Sequence, residues 1–256
     1  MTWPEIRDAV ASGKTTIIIP SGGTEQNGPH MVTGKHNVIV AETARRIARA
    51  LGDALVAPVI AYTPEGEIAS RNGHMAYPGT ISISPATFVG ILEGAARSFQ
   101  AHGFTTIVFL ADSGPNLSPQ QHVANALRQE WAVSGTRVIS ADAYYSANGQ
   151  VAALRQSGET DATIGKHAGM RDTSELLAID AGAIRRDRLV ADQDGVSGDP
   201  RRATVEWGER LLSLKVQAAV VEIRAAQAAS TGTSDLNSGL QPSRSLWSRL
   251  MRMIFG

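Results

Sequence analysis

Four of the six histidines, His30, His36, His74 and His167, stand beside glycine in polar stretches, and Glu25 lies just ahead of the first two. Carboxylate and imidazole together suit general acid–base chemistry, and they also suit the holding of a divalent cation. The chain contains no cysteine, which excludes disulfides, thiolate nucleophiles and Cys-ligated zinc or iron–sulfur centres. Any metal must therefore rest on His, Asp and Glu. His102 and His122 fall inside predicted helices and read as ordinary surface or packing residues. Ser113 follows a strand without the GxSxG elbow of a serine hydrolase. Gly22, Gly23 and Gly114 also follow strands, but no GxGxxG or Walker pattern surrounds them.

These residues are positioned by an alternating pattern. Thr15 to Pro20 (TTIIIP) reads as a buried strand that runs into the polar loop Ser21 to His30. Asn37 is placed to cap a helix of about 14 residues with apolar positions at helical spacing. Leu55 to Ala61 reads as the next strand, and Ser84-Pro85 as the start of a helix that ends near Gly103. Thr105 to Leu110 (TTIVFL) is the clearest strand, followed by Asp112 and Ser113. Ser118-Pro119 opens a helix toward Trp131, and Thr136 to Ser140 is a further strand. Strands apolar on both faces, alternating with helices, imply an α/β fold with a parallel sheet covered on two sides. Ligands in such folds sit where loops leave the carboxyl ends of the strands.

Of 256 residues, 43% are hydrophobic and 19% charged, the composition of a globular chain. Lys plus Arg equals Asp plus Glu at 24 each, so no overall field draws the protein to nucleic acid. The N-terminus lacks the features of a signal peptide, and a cytoplasmic location is expected.

Five segments, TEQNGPH (24–30), YPGTISISP (77–85), HGFTTIVFL (102–110), HAGMRDTS (167–174) and GVSGDPRRAT (195–204), together resemble the creatininase family of metal-dependent amidohydrolases. The resemblance runs over roughly residues 3 to 225. It implies a three-layer α/β/α sandwich with a mostly parallel central sheet, homo-oligomeric assembly, and two divalent metals activating water to cleave a C–N bond of a small molecule. It also implies ligand positions at which this chain departs from the family. Glu25 is kept, but Asn27 stands where the family has a ligand His, His36 where a bridging Asp stands, Ser113 for another His, and Met170 for a Glu. Asp172 occupies a further carboxylate position, and His167, a catalytic or substrate-contacting histidine in the family, is kept.

What remains for a metal is Glu25, His36, Asp172 and Asp112, a set suited to at most one zinc, manganese or iron ion. The alternative is no metal, with Asp172 serving as N-cap of a helix over 173–181. Three functions follow: an amidohydrolase-like enzyme with a single altered metal centre, a metal-free enzyme using Glu25 and His167 as its acid–base pair, or a non-catalytic relative that binds a small molecule or a sister subunit. Retention of Glu25, His30 and His74 favours an enzyme, with His30, His74, Asn27 and Ser113 as substrate contacts. Glu25, His30, His36, His74, Asp112 and His167 are expected to converge around one cavity. Beyond a domain over 1–225, residues 226–243 read as a flexible linker and 244–256 (RSLWSRLMRMIFG) as a basic amphipathic helix suited to packing, to docking a partner, or to reversible membrane contact.

Overall fold

The structure, a computed structural model, describes residues 1–237. Met1–Ile223 forms one compact unit, and the described residues from Arg224 onward belong to a second. In chain order the larger elements are α1 (Trp3–Ala11), β1 (Thr16–Ser21), α2 (Lys35–Leu51), β2 (Ala54–Val56), α3 (Pro85–Ala101), β3 (Thr106–Ala111), α4 (Leu117–Glu130) and β4 (Arg137–Ser140). The short helices α5 (Ala143–Ser146), α6 (Gln150–Gln156) and α7 (Asp161–Ile164) follow, then α8 (Met170–Ile179) and α9 (Val205–Asn237). The segment read as a linker is thus helical as far as Asn237. Its remainder, and the basic stretch 244–256, lie outside the described residues. No described helix is long and apolar enough to cross a membrane.

The four strands are parallel in the order β2-β1-β3-β4, with Thr16 to Ser21 of β1 in register with Thr106 to Ala111 of β3. All six residues of each central strand are buried, as runs apolar on both faces require. On one face Ile17, Ile19, Ile107, Phe109 and Val138 pack with Phe88 and Leu92 of α3 and Val123 and Leu127 of α4. The alternate residues Ile18, Val108, Leu110 and Ile139 are buried on the other face, where α2 lies against the sheet and buries Ile39, Val40, Ala44 and Ile47. The result is an α/β/α sandwich.

Several boundaries differ from the sequence pattern. Helix α2 begins at Lys35, ahead of Asn37, because the turn at Gly34 already accepts N–H groups from Asn37 and Val38. Strand β2 stops at Val56, just before Pro58, whose ring removes a ladder donor. Asp172 is not the N-cap of a helix over 173–181: α8 starts at Met170 after Gly169, and Asp172 sits within its first turn. Ser84 does cap α3, its Oγ accepting from Thr87 N at 3.0 Å.

The chain crosses from β1 into a loop clamped at both sides of Glu25. Ile81 N donates to Thr24 O at 2.8 Å, Glu25 N to Thr33 O at 3.0 Å, and Gln26 N to Thr80 Oγ1 at 3.0 Å. His167 is fixed by an antiparallel bridge to Ser197. That bridge depends on Gly165, whose φ of 67° and ψ of −172° belong to a region only glycine occupies readily, and a Cβ there would lie 1.8 Å from Ser197 O. Gly165→Ala should cost about 1–3 kcal/mol in denaturant unfolding and should broaden or shift the NMR signals of the His167 ring.

Candidate functional site

Glu25 is almost fully buried at 2% exposure, yet cationic groups and imidazoles approach it from several sides. Its Oε1 lies 2.8 Å from His36 Nε2, 3.6 Å from His167 Nδ1 and 3.7 Å from Lys35 Nζ, while Oε2 lies 3.1 Å from His74 Nε2. His36 and Lys35 come from the first turn of α2, His74 from a short 3₁₀ turn at 73–76, and His167 from the loop before α8.

Behind Glu25 runs a second layer of charge. His36 Nδ1 lies 2.7 Å from Asp112 Oδ2, so both ring nitrogens face carboxylate oxygens and both carry protons. Asp112, at the end of β3, also accepts from Lys215 Nζ at 2.5 Å and from Tyr144 OH at 2.7 Å. Lys215, on α9, reaches Glu175 at 3.4 Å. Lys35 Nζ meets Asp172 Oδ2 at 2.5 Å, and Arg171 meets the other oxygen at 3.2 Å.

These neighbours decide the protonation states. Burial alone would raise the Glu25 carboxyl, but the charge and hydrogen bond of His36, with Lys35 beside it, hold it far below the usual range. Burial works against a charged His36, and Lys35 does too, but Glu25 and Asp112 push the imidazole up to about 9. Asp112, buried, is held at about 2 by Lys215 and His36. Burial and the charge of Lys35 press His167 down to about 4, and burial lowers His74 as well, so both rings are neutral near pH 7. Glu65 goes the opposite way: burial and the nearby Glu25 charge raise it to about 8.

Gln26 sets the tautomers of the two neutral rings. Its amide orientation is fixed because Oε1 accepts from Gly28 N at 2.8 Å and Nε2 donates to Gly195 O at 3.0 Å. The same Nε2 lies 3.2 Å from His74 Nδ1, which therefore accepts, leaving the proton on His74 Nε2, 3.1 Å from Glu25 Oε2. Gln26 O in turn accepts from His167 Nε2 at 2.9 Å, leaving Nδ1 of His167 as a bare lone pair facing Glu25.

The residues singled out from sequence thus divide. Glu25, His167, His74, His36 and Asp112 form one connected group, and Asp172 joins it through Lys35. His30, Asn27 and Ser113 are buried at 0, 1 and 3% exposure. His30 Nε2 meets Thr173 Oγ1 at 3.2 Å, and Asn27 Nδ2 donates to Glu25 O at 2.9 Å and Val32 O at 3.1 Å, so both brace the loop. Of the expected substrate contacts, His74 is the partly exposed one. Sequence reading passed over Lys35, Lys215, Glu175, Gln26 and Glu65. Lys215 did carry a signal, a charge between Leu211, Leu212 and Ala219 on the buried stripe of α9.

For a metal, the donor atoms of Glu25, His74 and His167 all lie within 4.8 Å of one another, close enough to hold one ion. His167 presents its lone pair directly, whereas His74 would have to move its proton to Nδ1, against the Gln26 amide. His36, Asp112 and Asp172, read from sequence as ligands beside Glu25, are instead committed to ion pairs with one another or with buried lysines. A dinuclear centre does not fit these residues, because buried ammonium and imidazolium groups already neutralise the carboxylates that would hold it.

A family model described as creatininase, creatinine amidohydrolase, matches residues 1–223. A mycofactocin precursor peptide peptidase of Mycolicibacterium smegmatis is 28% identical over 235 residues, 81% of this chain and 84% of its own. Creatinine amidohydrolase of Pseudomonas putida is 31% identical over 110 residues, 43% of this chain and 42% of its own. A manganese form of creatininase superposes with a TM-score of 0.72 at 25% identity, covering 88% of this chain and 96% of that one.

The two buried glutamates, Glu25 and Glu65, should differ sharply in their response to amidation. Glu25→Gln leaves Lys35 and His36 facing a neutral group and should cost about 3–5 kcal/mol. Glu65→Gln replaces a carboxyl that is neutral at pH 7 and should cost less than about 1 kcal/mol. Because the folded Glu65 titrates at about 8, above its ordinary 4.5, its contribution is fully present below about pH 4.5 and is lost as pH rises through about 8. Urea unfolding across pH 4–9 should therefore show Glu65→Gln gaining on the parent as pH rises.

Proposed function

The chain belongs to the creatininase family, and from that membership and the Glu25 site we propose a hydrolase of an amide C–N bond in a small molecule, with room for at most one divalent ion. The observation that carries this reading is the bare Nδ1 of His167 facing the ionised Glu25 at 3.6 Å. Two acceptors so placed suit a water molecule donating to both. In the proposed step His167 takes one proton of that water as its oxygen adds to the amide carbonyl, the carboxylate of Glu25 stabilises the imidazolium that forms, and the proton passes to the departing nitrogen as the C–N bond breaks. His74 Nε2 lies 3.1 Å from the other carboxylate oxygen, Oε2. Glu25, His74 and His167 would alternatively hold one zinc, manganese or iron ion, which would occupy the His167 lone pair and supply Lewis-acid polarisation of the scissile carbonyl in place of the imidazole base.

Glu25 is nearly closed off while the His74 side chain is 30% exposed, which favours a slender substrate entering past that ring. A peptide amide is the second reading, because a relative covering 81% of the chain is named a peptide peptidase. Homo-oligomeric assembly, a cytoplasmic location and no nucleic-acid partner go with the family reading, the last supported by the even charge balance. Docking of 244–256 on a partner or membrane stays a proposal of sequence.

The test is hydrolysis of a panel of cyclic amides, linear amides and short peptides, with elemental analysis of the same preparation. His167→Asn should lower kcat/KM on the responding substrate by about 10²–10⁴ with little change in stability. Metal content should not exceed one equivalent. Cleavage confined to peptides would overturn the small-molecule assignment, and full activity in His167→Asn would overturn the mechanism.

A further inference from the structure

The inner layer of the site contains more charge than proton transfer at Glu25 requires. Four carboxyl groups, Glu25, Asp112, Asp172 and Glu175, face four cationic groups, Lys35, His36, Lys215 and Arg171. Lys35 and Lys215 are almost wholly enclosed, at 0 and 4% exposure, where an ammonium persists only with charge partners. Each has them: Lys35 lies between Asp172 and Glu25, and Lys215 between Asp112 and Glu175, with Tyr144 presenting its ring 4.8 Å away. His36 joins the two halves by touching Glu25 and Asp112 at once. Between the halves lies a cavity of about 10 Å³, lined among others by Asp112, Asp172, Glu175 and Lys215. That is the limit for one water and too small for a hydrated divalent ion.

We propose that Lys35, His36 and Lys215 are built-in cations standing in for divalent metal, so that the carboxylate layer beneath Glu25 is a latent metal site closed by the protein's own charges. Lys215 is the plug at the Asp112–Glu175 half. Removing its ammonium leaves two carboxyls, Glu175 accepting from Gln150 Nε2 and Asp112 accepting from Tyr144 OH, a pair of oxygen ligands of the kind manganese or magnesium accepts. The lysines act as positioning residues: they contact carboxylates, and through Lys35 and His36 they keep Glu25 ionised. The inference concerns charge replacement and is independent of which bond the protein cleaves.

Thermal unfolding of the full chain tests it, comparing the parent with Lys215→Ala and Lys215→Met, each with and without millimolar Mn²⁺ alone. Lys215→Ala should lower Tm by roughly 10 °C. Mn²⁺ should recover at least half of that loss, beyond any shift it produces in the parent. Lys215→Met, which fills the space without the charge, should lose similar stability but recover less than half as much. A Lys215→Ala variant with unchanged Tm, or one that Mn²⁺ shifts no further than the parent, would overturn the proposal. Should the variant not fold, elemental analysis of the parent decides: two or more equivalents of tightly bound metal overturn it, and one or none supports it. Loss of the hydrolytic reading leaves these outcomes unchanged, since none of them is read from activity.

Discussion

An ionised carboxylate at the depth of Glu25 cannot persist unless cations accompany it, and this one demand organises its surroundings. Transferring such a group from water costs several kcal/mol even after the protein relaxes, and each burying partner brings a similar cost of its own. His36 and Lys35 offset the charge of Glu25, which leaves them in turn to be anchored by Asp112 and Asp172. Those carboxylates then require Lys215 and Arg171. Charge compensation thus spreads outward until it reaches α9 and the first turn of α8, and the site becomes inseparable from the packing of these helices.

The sheet makes that network reachable. With all four strands parallel, β1 and β3 end on the same edge, so Glu25 follows one and Asp112 the other without a long detour. The first turn of α2, carrying Lys35 and His36, and the first turn of α8, carrying Asp172, meet at that edge, where α2 and α8 pack together. Helix N-termini favour negative charge, so both helix starts help hold the carboxylates. The neutral His167 and His74 lie outermost, where burial keeps both rings unprotonated near neutral pH.

Much of this was legible in the residues, and what was not has a physical cause. The strands at 16–21 and 106–111 announce themselves because burial on both faces forces continuous β-branched and aromatic runs. The approach of Glu25 and Asp112 also follows from their place just beyond the ends of β1 and β3. The partners of the buried acids are invisible locally, since Lys35 meets Asp172 across 137 positions and Lys215 meets Asp112 across 103. Sequence offered His36 as a ligand because imidazole beside carboxylates ordinarily reads as metal binding. Only the second carboxylate on its other nitrogen shows that it is a cation itself. Asn27 is claimed by backbone carbonyls of its own loop, and His30 by the Thr173 hydroxyl of α8.

Gln26 shows how far the control of proton position extends from the reacting atoms. A neutral histidine can carry its proton on either nitrogen, and a carboxylate alone would draw both neighbouring rings to point an N–H at it. One residue prevents that symmetry: its side-chain amide donates to His74, and its main-chain carbonyl accepts from His167. The amide is itself oriented by Gly28 and Gly195, and glycine at 195 matters because a Cβ there would lie 2.2 Å from Gln26 Oε1. The loop around residue 195, far along the chain, therefore dictates which imidazole turns its protonated nitrogen toward Glu25 and which keeps a lone pair for an incoming proton. The two rings, only 4.5 Å apart, acquire opposite capacities from the backbone that surrounds them.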